Sequence, residues 1–136
     1  QSMVDQIHKA GMDDFMQKPA RRQQLLDKIS VWTGGLPSAR ILVVDDDPSI
    51  RMVTRAMIEK AGHQVSEAED GEKALDAMKK NNFDIVFMDV SMPQMDGLES
   101  TTAMRRLSGR KKNIPVVALS AHADPEGSET YDGICW

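Results

Sequence analysis

Two uninterrupted apolar runs, each followed by aspartate, constrain the fold of this 136-residue chain more than any other feature. The first run is residues 41–44, before Asp45, and the second is residues 85–88, before Asp89. A strand with one face in water alternates apolar and polar side chains, whereas a strand covered by helices on both faces is apolar throughout. The two runs therefore predict buried strands of a parallel sheet.

Segments with helical periodicity separate these runs from other short strand-like segments. Regular alternation of strands and helices is typical of an α/β fold, in which right-handed crossovers connect parallel strands. The helix at 19–32 carries an apolar stripe made by Leu25, Leu26, Ile29 and Trp32. The predicted order is helix 3–10, strand 14–17, helix 19–32, strand 41–44, helix 49–61, strand 63–67, helix 71–80, strand 84–88, helix 97–107 and strand 115–119.

Composition narrows the class of protein. The length fits one domain with a hydrophobic core. A net charge of -4 and the absence of a basic cluster argue against nucleic-acid binding. The single cysteine, Cys135, excludes an internal disulfide and argues against a cysteine-rich zinc site. No apolar stretch is long enough to span a bilayer and no signal-like segment opens the chain, so we expect a cytoplasmic protein without membrane contact.

Polar residues follow the predicted strands at the point where each strand ends. Asp45 and Asp46 follow one strand, and Asp89, Ser120 and Lys18 each follow another. In an open parallel sheet, ligands bind beyond the carboxyl ends of the strands, so these side chains are expected to converge. Carboxylates that share a pocket repel one another and favour a hard divalent cation with oxygen ligands. The sequence therefore predicts a Mg²⁺ site at this edge.

The motifs together resemble those of response-regulator receiver domains. That family carries an acidic pair, a phospho-accepting aspartate, a hydroxyl residue and a Lys-Pro, each at the end of a strand. Residues 92–97, Met-Pro-Gln-Met-Asp-Gly, are similar to the receiver loop, and residues 11–19, Gly-Met-Asp-Asp-Phe-Met-Gln-Lys-Pro, are similar to the segment that contains the family's lysine. The resemblance covers residues 3–32 and 40–124, and it implies a flavodoxin-like, doubly wound sheet of five parallel strands.

The resemblance also implies the role of each acidic residue. Asp89 is the expected nucleophile, which takes a phosphoryl group from phosphohistidine and becomes an acyl phosphate. Asp46, Asp89 and the backbone carbonyl of Ser91 are the expected direct ligands of Mg²⁺, and Asp45 is expected to act through water.

Three further residues receive roles from the same resemblance. Lys18 is expected to pair with one phosphoryl oxygen and Ser120 to donate a hydrogen bond to another. Phe15 lies where receivers carry an aromatic residue that rotates on activation. Ser120 and Phe15 are therefore the expected switch residues.

The order of the motifs differs from that of the family, because the Lys-Pro lies at the front of the chain. Residues 1–32 would then supply the fifth strand and last helix, 33–39 a linker, 40–124 strands one to four, and 125–136 a tail. A crossover with its helix needs at least about ten to twelve residues. Residues 121–124 supply four and residues 1–10 supply ten, so neither piece suffices alone but the two together do. Two histories fit: a circular permutation, or a fragment that carries the end of one receiver and the start of the next.

The expected function is a phospho-accepting switch in a two-component phosphorelay. Its partner would be a histidine kinase or a histidine phosphotransfer protein, and it would catalyse only its own phosphorylation and dephosphorylation. An aspartyl-phosphate hydrolase of the haloacid dehalogenase type is an alternative, because Asp45 and Asp47 mimic its Asp-x-Asp, although Ser49 stands where a threonine is expected. Another alternative is a structural pairing module in which the altered order prevents phosphorylation. The linker also permits exchange of residues 1–32 between identical chains, and hence a domain-swapped homodimer.

Overall fold

A computed structural model describes residues 3–18, 20–90, 97–107, 109 and 113–120. Helices and strands alternate along these residues, as the sequence predicts. The helices are α1 Met3–Lys9, α2 Arg22–Thr33, α3 Pro48–Lys60, α4 Gly71–Lys80 and α5 Gly97–Met104. The strands are β1 Asp14–Gln17, β2 Arg40–Val44, β3 Gln64–Ala68, β4 Ile85–Asp89 and β5 Val116–Ser120.

The five strands form one parallel sheet in the order β1-β5-β4-β2-β3. Strand β1 lies at an edge and pairs with β5, so the first and last described strands of the chain are neighbours. From β2 the chain passes outward to β3 and then returns to β4 on the other side of β2. The switch point, where ligands bind in such sheets, therefore lies between the carboxyl ends of β2 and β4. This is the flavodoxin-like arrangement that the sequence predicts.

Helices cover both faces of the sheet, which explains the uninterrupted apolar runs. Ile41 and Val43 point to one face and Leu42 and Val44 to the other, and all four are fully buried. The first face packs against α2 and α3 through Leu25, Ile29 and Ile58, and the second packs against α1, α4 and α5 through Ile7, Ala74, Met78 and Met104.

The structure corrects several predicted boundaries. Strands β3, β4 and β5 each lie one residue later than predicted, so Asp89 and Ser120 are the last residues of their strands. Helix α3 begins at Pro48 and ends at Lys60. Helix α5 ends at Met104 and not at residue 107, because the backbone N–H groups of Arg106 and Leu107 bond three residues back and tighten the turn.

Helix α2 begins at Arg22 and not at residue 19. The backbone N–H of Lys18 donates to the Ser120 carbonyl at 3.0 Å, so the β1–β5 pairing continues past the end of β1. Arg21, before the helix, still has an extended backbone.

Several expectations lie outside the described residues. They concern Ser91, the loop motif from residue 92 to 96, Pro19, the crossover residues 121–124 and the tail 125–136. Within the described part of the chain, every helix is too short or too polar to cross a membrane.

Candidate functional site

Four of the predicted site residues lie at the carboxyl edge of the sheet. Asp45 directly follows β2 and Asp89 ends β4, and these neighbouring strands flank the switch point. Ser120 ends β5, where it pairs in register with the last residue of β1, and Lys18 follows next. Parallel pairing thus brings together residues that are far apart in the sequence.

Lys18 contacts two carboxylates at once. Its Nζ donates a hydrogen bond to Asp89 Oδ2 at 3.0 Å and lies 3.1 Å from Asp45 Oδ2. Both aspartate side chains are 0% exposed and that of Lys18 is 10% exposed, so water screens this contact only weakly. The N-terminal segment therefore places the ammonium group of Lys18 beside acidic residues at the ends of β2 and β4.

Three carboxylates lie close together near the single positive charge of Lys18. One carboxylate oxygen from each of Asp45, Asp46 and Asp89 lies within 4.8 Å of the others. Asp45 and Asp89 are buried, and Asp46 is exposed. Asp45 Oδ2 is buried and, despite its closeness to Lys18, accepts no well-directed hydrogen bond within the described structure. An unsatisfied buried anionic oxygen beside two more carboxylates fits a hard divalent cation such as Mg²⁺.

Burial and charge shift the ionisation of this pair. Burial raises the pKa of Asp45, and the negative charge of Asp89 raises it further, although the Asp47 backbone N–H and Lys18 act in the opposite direction. Burial lowers the pKa of Lys18, but the interactions with Asp89 and Asp45 outweigh it and leave that pKa above its usual value. The site therefore retains a charged lysine while at least one carboxylate is held in an unfavourable environment.

Two other predicted residues have clear positions. Phe15 is half-buried and packs against the core on the α1, α4 and α5 face. Asp47 caps α3, because its Oδ1 accepts from the backbone N–H groups of Ser49 and Ile50 at 2.8 and 3.3 Å. Asp47 therefore satisfies two backbone N–H groups at the start of α3, the role that aspartate commonly has before a helix.

Sequence reasoning missed two arginines. Arg51 donates to the Asp45 carbonyl at 2.7 Å, and Arg105 donates to the Gly11 carbonyl and to Asp13. The position of Arg51, one turn inside a helix that begins just after the acidic residues, could have indicated the first contact. No local pattern indicates the second, because its partners are more than ninety residues away.

A sequence profile of the response regulator receiver domain matches residues 41–131. The chain belongs to this family. Receiver domains are signalling domains and not classical enzymes, and they bind Mg²⁺ at an acidic pocket.

Curated relatives include large sensor kinases. The chain is 41% identical over 87 residues to the CAI-1 autoinducer sensor kinase/phosphatase CqsS of Vibrio cholerae, a match that covers 64% of this chain and 13% of that protein. It is 41% identical over 86 residues to the sensor histidine kinase GacS of Pseudomonas protegens, covering 62% and 9%. The chain thus spans about a tenth of the length of these curated relatives.

Solved receivers have a similar fold. The chemotaxis response regulator CheY4 of Vibrio cholerae superposes with a TM-score of 0.61 at 37% identity, covering 68% of this chain and 76% of that one. The response regulator TrrA of Thermotoga maritima, solved in complex with Mg(2+)-BeF, superposes with a TM-score of 0.57 at 37% identity, covering 62% and 70%. These similarities agree with the five-stranded parallel sheet.

Proposed function

We propose that this chain is a phospho-accepting receiver domain of a two-component phosphorelay, with Asp89 as the acceptor. One observation carries the proposal: Lys18 contacts Asp89 and Asp45 together, although 71 residues separate Lys18 from Asp89 in the sequence. A lysine that only stabilises the fold needs one acidic partner. A lysine that lies between two buried carboxylates is also in position to contact a phosphoryl group bound beside them. The partner would be a histidine kinase or a histidine phosphotransfer protein, because sensor kinases are among the relatives.

The chemistry that this arrangement supports is transfer from phosphohistidine. A carboxylate oxygen of Asp89 attacks phosphorus, a P–O bond forms as the P–N bond breaks, and the imidazole nitrogen keeps the electron pair and takes a proton from solvent. Charge spreads over the phosphoryl oxygens in the transition state, so positioning and electrostatics dominate. Lys18 would pair with one of these oxygens, and the hydroxyl of Ser120 would donate to another.

The acidic residues would hold the metal that the family uses. Asp46, Asp89 and the backbone carbonyl of Ser91 are the proposed direct ligands, with Asp45 acting through water. When bound, Mg²⁺ would neutralise the charge that gathers on the phosphoryl oxygens. In support, Asp45 Oδ2 is paired with Lys18 but makes no well-directed hydrogen bond in the described structure, and it lies close to the other two carboxylates.

Mass-spectrometric location of an acyl phosphate tests the proposal. The chain is treated with acetyl phosphate and Mg²⁺, and the modified residue is identified after proteolysis. We expect one acid-labile phosphate on Asp89, none in Asp89→Asn, and parent-like labelling in Asp76→Asn, which changes an exposed aspartate of α4. Label on Asp45 would favour the hydrolase of the haloacid dehalogenase type, and no label would favour the pairing module.

The position of the N-terminal segment extends the proposal. We propose that residues 1–32 act as the fifth strand and last helix of the receiver, joined by the linker 33–39 to strands one to four in 40–124. In support, β1 pairs with β5 at the sheet edge, with Lys18 at its carboxyl end. Phe15 and Ser120 would be the switch residues, and the location would be cytoplasmic.

The two histories of the unusual order make different predictions. The family match extends to residue 131 and so includes seven residues of the segment 125–136. This supports a fragment of two tandem receivers, because in that history the chain continues past Ser120 in the family's own order. Sequencing the coding region upstream of Gln1 tests it: a fragment requires the strands of another receiver there, whereas a circular permutation does not.

A further inference from the structure

We infer that Arg51 is a positioning residue for the acidic site: by bridging the Asp45 carbonyl and Glu67, it fixes the orientation in which Asp45 presents its carboxylate. The inference rests on the proposed function, because it concerns the affinity of the same site for Mg²⁺. Neither Arg51 nor Glu67 is among the residues expected to bind the metal.

Asp45 is held at three of its four polar groups. Its backbone N–H donates to the Ala68 carbonyl at 3.2 Å, and its carbonyl accepts from Arg51 Nη1 at 2.7 Å. Its Oδ1 accepts from the backbone N–H of Asp47 at 2.9 Å. These bonds leave Oδ2, which faces Lys18 and makes no well-directed hydrogen bond in the described structure. Directed hydrogen bonds thus hold three polar groups of Asp45, and the oxygen that faces the site has the ion pair with Lys18.

Arg51 is itself fixed by a residue on another element. Its Nε donates to Glu67 Oε1 at 2.9 Å, and Glu67 lies on β3, the strand beside β2. The other oxygen of Glu67 accepts from Arg55 Nη1 at 2.5 Å. The side chains of Arg51 and Glu67 are 18% and 28% exposed, so solvent reaches them only partly. Arg51 therefore links α3, β3 and the end of β2.

The physical reason for a functional role is the cost of moving a carboxylate. Asp45 lies where β2 gives way to the loop before α3, so rotation of its peptide would turn Oδ2 away from Asp46 and Asp89. A charge-assisted hydrogen bond to the carbonyl opposes that rotation. Residues that orient metal ligands from outside the site change metal affinity by about 10- to 100-fold when they are removed.

Arg55 offers a matched control. It lies one turn further along α3 and contacts the same Glu67, and it also pairs with Glu59 at 3.2 Å. Within the described structure, Arg55 makes no hydrogen bond or ion pair with Asp45, whose carbonyl accepts from Arg51. Loss of either arginine removes one positive charge and one contact to β3, but only loss of Arg51 frees the Asp45 carbonyl.

The experiment measures the dissociation constant for Mg²⁺ by isothermal titration calorimetry, together with the melting temperature in the absence of metal. We expect Arg51→Gln to weaken Mg²⁺ binding by about tenfold. Arg55→Gln should lower the melting temperature to a comparable extent but leave the dissociation constant close to that of the parent. Arg51→Lys should remain weaker than the parent, since one ammonium cannot reproduce the guanidinium fork.

Equal Mg²⁺ affinities in Arg51→Gln and Arg55→Gln would overturn the inference while leaving the proposed function intact. A parent chain that binds no Mg²⁺ would overturn both, and the acyl-phosphate experiment would then show whether phosphorylation at Asp89 survives. If Arg51→Gln does not fold, Glu67→Ala removes the side-chain acceptor of Arg51 without removing Arg51 itself, and it should also weaken Mg²⁺ binding more than Arg55→Gln does.

Discussion

Ion pairs hold both ends of strand β1. The two ends differ in how completely the positive charges balance the negative ones. At the N-terminal end, Arg105 Nη2 contacts Asp13 Oδ2 at 2.8 Å, and the guanidinium also donates to the carbonyls of Gly11 and Ile114. Asp13 Oδ2 additionally accepts from the backbone N–H of Val116. Asp14, the first residue of the strand, pairs in the same way with Lys28 at 2.6 Å, so each of the two carboxylates at this end meets one cation.

At the C-terminal end the balance is different. Lys18 lies between the buried carboxylates of Asp45 and Asp89, with Asp46 close by, and Asp45 Oδ2 lacks a well-directed hydrogen bond. A partly exposed ion pair with matched charges stabilises the fold modestly. A buried charge that is incompletely compensated destabilises it until a ligand arrives. The two ends of β1 therefore differ: one has ion pairs that stabilise the fold, and the other is the proposed functional site.

Removal of residues 1–33 should have the largest effect, because it abolishes both ends of β1. The truncated chain would lose Met16, Leu25 and Ile29 from the core and expose the edge of β5. We expect no cooperative thermal transition by circular dichroism, and aggregation in sedimentation. A truncated chain that stays monomeric and melts cooperatively would show that the segment is dispensable, and neither end of β1 would then matter to the fold.

Arg105→Gln should have the next largest effect. It should lower the free energy of unfolding and leave the proposed site unchanged. We expect a loss of about 1–3 kcal/mol in the free energy of unfolding, because two carbonyls and a carboxylate lose a charged donor. The measurement is urea denaturation, with Arg106→Gln, an exposed neighbour, as the control. In a double-mutant cycle with Asp13→Asn, additive losses would show that the two side chains do not interact.

Lys18→Ala should affect function more than folding. Without Mg²⁺ the variant should unfold at a lower temperature, because two buried carboxylates lose their contact with the ammonium group. Added Mg²⁺ should restore most of that loss, while the rate of phosphorylation by acetyl phosphate falls. A variant as stable as the parent without metal, and phosphorylated at the same rate, would remove Lys18 from the site.

The sequence predicts the contacts at the C-terminal end of β1 better than those at its N-terminal end. The apolar runs and their terminal polar residues predict the strands, the sheet class and the convergence of Asp89, Asp45 and Lys18. The sequence does not predict the contacts of Arg105, because only the folded chain brings Asp13 and the carbonyls of Gly11 and Ile114 near it. The relative burial of Asp45 and Asp46 also escapes it, since adjacent residues at a strand end point in different directions and the sequence does not say which points inward.

The smallest expected effect concerns pH. Burial raises the pKa of Asp45 above its ordinary value of 3.8, so the folded state binds a proton more tightly than the unfolded state. Without Mg²⁺, this group's contribution to stability therefore declines as the pH rises from 3.8 through the folded-state pKa. Asp45→Asn should remove that decline.

Urea midpoints of the parent and Asp45→Asn, measured without metal from acidic to neutral pH, check this expectation. The difference between them should grow in favour of the variant as the pH rises. A constant difference across the range would mean that Asp45 is not held in an unfavourable environment.

Thermal unfolding with and without Mg²⁺, for two Asp→Asn variants at opposite ends of β1, tests the central claim most directly. Asp13→Asn should melt below the parent in both conditions but keep the full increase in melting temperature that Mg²⁺ produces. That increase corresponds to about 2.7 kcal/mol when Mg²⁺ is at about a hundredfold excess over its dissociation constant. Asp89→Asn should melt no lower than the parent without metal and should lose the increase. If Asp89→Asn kept the Mg²⁺ increase, or if Asp13→Asn lost it, the assignment of structure to one end of β1 and function to the other would be contradicted.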